Sequence, residues 1–213
     1  MNTTIRALLA AGALALLPSC ATTYTAENFA DYQAKHNTVA VLPFITTIDR
    51  RNLKSGFDPA ALDAAEKDEA YLFQQQLVIE MLSRSQKGDF TVAFQPVDTT
   101  NVLLSRGGVE YEDLRAYTKD ELGQMLGVDA VISGEIKRAT PVGTGAAVAS
   151  AFLAGAASPT NVVTVTMVVH DAETGGLVWA YDHRVQGSLG SSAEGLAKGL
   201  MRNSASKFPY KQD

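Results

Sequence analysis

Apolar positions change their period several times along this 213-residue chain, and each change predicts an element. Thr38-Val-Ala-Val-Leu-Pro-Phe44 is a continuous apolar, β-branched run, the pattern of a strand covered on both faces. Residues 45–57 are polar, include Gly56, and read as a loop. Asp58-Pro59 then opens a helix, with a capping side chain followed by proline at the first helical position. The helix runs to about Arg84, where Phe73, Leu77 and Met81 follow at four-residue spacing and Val78 and Leu82 widen the stripe. Gly88 closes it, and Asp89 to Phe94 reads as a second strand. Asp98 is placed to cap a short helix through Val102, Leu103 and Leu104, stopped by Gly107-Gly108.

Thr118-Lys-Asp-Glu121 has the form of a capping box ahead of Leu122, Met125 and Leu126, and Gly127 ends that helix. Asp129 to Ile136 follows as a third strand. From Asn161 to His170 the alternation is clean: Val163, Val165, Met167 and Val169 share one face, and Thr164, Thr166 and His170 take the other. Asp171-Ala-Glu-Thr-Gly-Gly176 is turn chemistry, and Leu177 to Val185 returns as a partner strand. Ser191-Ser-Ala-Glu194 reads as a second capping box, opening a final helix through Leu196, Leu200 and Met201. The expectation is a single α/β domain of two to three layers. It has a mixed sheet of about five strands with helices, and a late β-hairpin followed by a C-terminal helix.

The first residues follow another logic. Met1 and Arg6 precede an apolar stretch, Ala7 to Leu17, too short for the ~20 residues of a membrane-spanning helix. Its length and its small-residue end fit a secretory signal peptide. Leu17-Pro18-Ser19-Cys20 resembles a bacterial lipobox, although Pro18 is an unusual occupant of its position. By that resemblance residues 1–19 are a lipoprotein signal peptide and Cys20 becomes the lipid-bearing (palmitate-type) N-terminus. The alternative is an ordinary signal peptide with an incidental cysteine. Residues 20–37 read as a lipidated N-terminus and short tether, in which Ala26 to Lys35 has the makings of two or three helical turns. No aspartate adjoins Cys20, which by analogy with lipoproteins generally points to a lipid anchor in the outer membrane, with the domain facing the periplasm.

Composition narrows the chemistry. The 18 basic and 23 acidic side chains form no basic cluster able to follow a phosphate backbone, so nucleic acid is not an expected partner. Cys20 is the only cysteine; once lipidated it leaves no thiol for a disulfide, a thiolate metal site or a nucleophile. The domain, residues 38–213, must then rely on packing alone.

One stretch departs from the rest. Between Ala139 and His170 there is no charged side chain, and residues 141–160 form a Gly/Ala-rich insertion between Pro141 and Pro159. As a helix, Val142 to Ala157 would reach about 24 Å, short of a hydrocarbon core of about 30 Å. Gly145 with Ala149, and Ala151 with Gly155, are small residues four apart that permit close approach of another backbone, and Phe152 lies between them. Three readings stand: packing against its own domain, a contact surface for self-assembly or a partner, or a segment that touches membrane within an oligomer.

No catalytic constellation emerges from the sequence. His170 and His183 lie on the two hairpin strands beside Asp171 and Asp182, a set that in principle could hold a divalent metal. Regular alternation sends each aspartate opposite its neighbouring histidine, which argues instead for polar residues on one sheet face or near a strand end. Ser133-Gly134 lacks the flanking glycine of a nucleophile elbow, and neither Gly107-Gly108 nor Gly175-Gly176 links a strand to a helix around a phosphate. Trp179 and Tyr181 share a strand face, more in keeping with packing than with ligand stacking. The chain reads as a non-enzyme, with no cofactor, no metal and no evident small-molecule substrate.

Four pieces in order carry a family resemblance: Val39 to Phe44, Leu126-Gly-Val-Asp-Ala-Val-Ile-Ser-Gly-Glu-Ile136, Val163 to His170, and Asp171-Ala-Glu-Thr-Gly-Gly-Leu-Val-Trp179. Together they resemble the periplasmic domain of the CsgG-type curli secretion lipoproteins, a core that LpoB, the lipoprotein activator of a peptidoglycan synthase, is similar to. The resemblance implies a periplasmic α/β domain on an outer-membrane anchor, with ring assembly as a possible homo-oligomer. It departs at the membrane hairpins of CsgG-like channels: residues 138–161 do not alternate as a barrel strand does, and Gln186 to Gly190 leaves no room for the second hairpin. The function this implies is protein–protein contact with an unidentified envelope protein, as an accessory or assembly subunit of envelope secretion or biogenesis. The rivals are an LpoB-like regulator of a peptidoglycan synthase, a CsgG-type channel subunit and a metal-dependent enzyme.

Overall fold

A computed structural model describes residues 22–50, 58–139, 162–186 and 192–212. Seven strands form one mixed sheet: β1 (Thr22–Thr25), β2 (Thr38–Val41), β3 (Ile45–Ile48), β4 (Ala93–Phe94), β5 (Ala130–Arg138), β6 (Val162–Asp171) and β7 (Leu177–Gln186). The order across the sheet is β1-β7-β6-β5-β2-β4, with β3 also paired to β5. β2 pairs in parallel with β4 and β5, and β3 in parallel with β5, while β5–β6, β6–β7 and β7–β1 are antiparallel. The helices are α1 (Phe29–Lys35), α2 (Pro59–Ser85), α3 (Val97–Arg106), α4 (Lys119–Leu126) and α5 (Ala193–Ser204). The expected α/β class, the late hairpin and the C-terminal helix are all present.

The alternation of β6 divides the molecule into two sides. Val163, Val165, Met167 and Val169 are fully buried and join Ile132, Ile136, Phe73, Leu77, Leu196 and Leu200 in the larger core, between the sheet and α2 with α5. On the other side, α3 and α4 cover a smaller cluster that includes Leu42, Leu104, Leu122, Leu126 and Val131. That cluster lies at the β2 end of the sheet. Capping chemistry places the helices over these faces. Asp58 accepts from the Ala60 amide, Thr118 and Glu121 cap α4 reciprocally, and Gly127 adopts φ 65° to stop it.

Several elements differ from the sequence reading. The run from Thr38 is not one strand. It breaks after Val41 and resumes at Ile45 on the same neighbour, so residues 45–48 are a strand and not a loop. Val41 pairs with Ile132 and Ile45 with Glu135, so the segment through Pro43 carries one residue more than β5 opposite it. Proline cannot donate to a ladder, and a bulge is where a sheet accommodates it. The offset lays Phe44 over Gly134 and against Phe73, with ring centroids 4.9 Å apart.

The stretch read as a tether is, over residues 22–37, part of the fold. β1 pairs antiparallel with β7, and Phe29 and Tyr32 of α1 pack on the larger core. All four β1 residues are exposed, so no apolar alternation marked the strand. The strand expected over residues 89–94 shrinks to Ala93–Phe94, while Phe90 forms an isolated bridge with Lys211. Pro96 takes the capping position of α3, leaving Asp98 in its first turn. α5 is capped by Ser192, one residue later than expected, with its hydroxyl accepting from the Gly195 amide. Leu82 is 40% exposed, beside Leu72 and Ile79 on the outer face of α2, and does not widen the buried stripe.

A buried ion pair fixes α2 to the end of β5. Arg138 is only 2% exposed, and its Nε lies 2.8 Å from both carboxylate oxygens of Glu69. At Gly134, in contrast, the constraint is space. A Cβ there would run into the Thr166 carbonyl and the Phe44 ring. Gly134→Ala is therefore expected to lower unfolding free energy by about 2 kcal/mol, read from urea denaturation. Wild-type stability in this variant would show that the Phe44 contact yields without strain.

Candidate functional site

Cys20 and the contact residues Gly145, Ala149, Ala151, Phe152 and Gly155 lie outside the described residues. Among the described residues, no helix is long and apolar enough to cross a membrane. The described chemistry gathers at two other places.

The first is a buried chain of hydrogen bonds. His36, just past α1, places Nδ1 2.6 Å from the Tyr210 hydroxyl and Nε2 3.0 Å from Asp171 Oδ1. The second carboxylate oxygen of Asp171 accepts from the Thr174 amide at 2.8 Å and from its hydroxyl at 2.6 Å. An ionised carboxylate can only accept, so the consistent tautomer carries hydrogen on Nε2 and accepts at Nδ1 from Tyr210. Burial alone would raise the Asp171 carboxyl, but the hydrogen bonds from His36 and Thr174 hold it below its ordinary value. Burial drives the Tyr210 hydroxyl far above its ordinary range, with Asp171 and Asp129 adding to it. A sealed phenol that keeps its proton is no nucleophile. The three residues resemble a catalytic array only in composition; Tyr210 is wholly buried, His36 is 4% exposed and Asp171 3%.

The hairpin histidines do not converge. His183 sits in the larger core with Nε2 3.2 Å from Asn203 Nδ2, while His170 lies on the opposite sheet face. They therefore do not share one face as a polar pair. Asp182 turns outward and accepts from the Thr166 hydroxyl at 2.6 Å, while Asp171 turns inward to His36. Among the described residues, no three His, Cys, Asp or Glu side chains form a group able to hold a metal ion. Trp179 and Tyr181 stack within the core, centroids 5.8 Å apart and planes 4° from parallel, as the packing reading expected.

The second place is an open groove of about 460 Å³ on the face that carries His170. Its floor is Ser133 to Glu135 of β5 and Thr166, Val168 and His170 of β6. The β3 residue Ile45 and the approach to α4, with Leu114, Arg115 and Lys119, form its walls. It exists because α3 covers β2 and α4 covers the start of β5 and the end of β6, leaving the middle of β5 and β6 open. Burial lowers the Lys119 ammonium; burial and then Lys119 lower the His170 imidazole. The sequence singled out His170 and Ser133 here but not Lys119 or Arg115. Both cations precede or open a helix, where charge is ordinary, and no local signal distinguishes them.

No protein-family model and no curated protein sequence matches the chain. Solved structures to which it is similar include lipoprotein GNA1162 from Neisseria meningitidis, at 17% identity over 80% of this chain and 94% of that one, TM-score 0.39. The LpoB C-terminal domain from Salmonella enterica shares 12% identity over 71% of this chain and 83% of its own, TM-score 0.40. A PelC dodecamer from Paraburkholderia phytofirmans shares 16% identity over 91% and 97%, TM-score 0.40. Likenesses this distant say nothing of what the chain does.

Truncation separates the members of the buried cluster. Asp171→Ala strands His36 and should cost about 3 kcal/mol in urea denaturation, whereas Tyr210→Phe removes one hydrogen bond and should cost about 1 kcal/mol. Equal costs would mean the carboxylate is not the anchor of the set.

Acid should act in two stages. The folded values of His170 and His183 lie below their ordinary 6.5, so as pH falls through 6.5 the unfolded chain gains protons first and stability declines. The Asp171 contribution, present above its ordinary 3.8, is lost as pH falls through its lower folded value. Unfolding free energies that stay constant from pH 7.5 to 5.5 would contradict the first stage.

Proposed function

We propose that this chain is a non-catalytic, lipid-anchored envelope protein, acting by protein–protein contact at the outer membrane with its domain in the periplasm. Its role is that of an accessory or assembly subunit in envelope secretion or biogenesis. The observation that carries the reading is the lipobox-like Leu17 to Cys20 placed directly before a folded strand. Cys20 precedes Thr22 by two residues, a reach of at most about 7 Å. Thr22 is held in the sheet opposite Asp182. Lipid on Cys20 would therefore hold the β1–β7 edge close to the bilayer, with little slack for the domain to range.

The described residues favour contact over catalysis. The one array of catalytic composition, His36 with Asp171 and Tyr210, is sealed from solvent and saturated by its own hydrogen bonds. Residues 141–160, with Gly145, Ala149, Ala151, Phe152 and Gly155, are the proposed contact segment, on the strength of their small side chains and lack of charge.

Two measurements test the proposal. Cys20→Ser should move the protein from the membrane to the soluble fraction; full membrane retention would sink the lipid anchor. Wild-type protein extracted in detergent at native expression should run above its monomer mass, alone or with a bound partner. A lone monomer with nothing co-purifying would overturn the contact reading.

A further inference from the structure

The groove on the open sheet face carries a charge that no described side chain answers. Lys119 is half-buried at its wall, and no acidic side chain among the described residues lies within ion-pair distance. The nearby carboxylate of Glu135 is already engaged, 2.7 Å from Lys137 Nζ and 3.5 Å from Arg115. The chain as a whole has net charge -5, so a sheltered unpaired ammonium is not a product of general basicity. Beside it His170 has a buried Nδ1 with no hydrogen-bond partner, and Ser133 brings a hydroxyl-bearing side chain to the floor. A half-buried cation without a partner is unfavourable, and a ligand supplying an acceptor would relieve it.

Charge balance selects the ligand. The charged lining, Lys119 and Arg115 against Glu135, leaves one net positive charge, which matches a monoanion and disfavours a dianionic phosphate. Ile45, Leu114 and Val168 make the rest of the groove apolar, and its volume of about 460 Å³ exceeds what a bare carboxylate would fill. We propose that this groove binds the C-terminal carboxylate of a peptide ending in an apolar residue. Lys119 pairs the carboxylate, His170 and Ser133 supply hydrogen bonds, and the apolar wall receives the last side chain. The inference holds whether or not Cys20 carries lipid.

The test uses the full chain in detergent and an N-terminally fluorescein-labelled Ala-Ala-Leu tripeptide, followed by fluorescence polarisation. The free acid should bind saturably, and its C-terminal amide about tenfold more weakly, the size of one charge-assisted hydrogen bond. Lys119→Met should lose about tenfold for the acid and nothing for the amide, while Lys198→Met, at an exposed position of α5, changes neither. His170→Phe, which keeps a ring but removes its nitrogens, should weaken the acid about threefold and serves if Lys119→Met fails to fold. Absence of binding, equal affinity for acid and amide, or unchanged affinity in Lys119→Met would overturn the proposal. So would acetate that competes as well as unlabelled tripeptide, because a small acid would then be the ligand.

Discussion

Three distant parts of the chain meet at the His36 imidazole, and the closure of the larger core depends on that meeting. His36 lies 135 residues from Asp171 and 174 from Tyr210 in sequence, yet it bonds to both in the buried interior. Asp171 stands where β6 enters the hairpin turn, and its second oxygen shapes that turn through Thr174. Tyr210 holds the C-terminal segment in place, with Phe208 set edge-on to Trp179 and packed against Phe90. His36 bonds to both of the other segments, while Asp171 is also held by Thr174 of its own turn. The N-terminal helix, the hairpin and the C-terminus therefore stabilise one another, since loss of any one leaves buried polar groups unpaired.

The two faces of the sheet are used differently. α2 and α5 seal one face with a continuous apolar layer, and the Arg138–Glu69 pair ties α2 to the end of β5. The other face is roofed by α3 and α4 only over β2, the start of β5 and the end of β6. The remainder of β5 and β6 shows Ser133, Thr166, Val168 and His170 to an open groove. The same alternation that buries Val163, Val165, Met167 and Val169 thus presents Thr166, Val168 and His170 to the groove. The domain thus holds its structural chemistry on one side of the sheet and its accessible polar chemistry on the other.

Legibility in the sequence followed the range of the interaction. The β6 alternation, the α4 capping box with its Gly127 stop, and the hairpin turn were readable because each is decided within a few residues. β1 was not, because an all-exposed edge strand of Thr22 to Thr25 has no apolar period to show. β3 was missed because its pairing follows the bulge at Pro43, and a bulge is set by the strand it faces. Leu82 looked like part of the core stripe of α2; only the placement of α5 decides where that stripe ends.

The sequence alone determined the α/β class, the helices and the hairpin, since periodicity and capping are local physics. It also carried the lipobox-like run at Cys20, whose meaning rests on residue order and not on folding. The tertiary structure alone decided which titratable groups meet. Asp171 and His170 are adjacent in sequence, yet strand alternation sends the first into the buried cluster with His36 and the second into the groove beside Lys119. Burial and partners, and with them the chemistry available to each, come from segments far away in the chain, which no local pattern records.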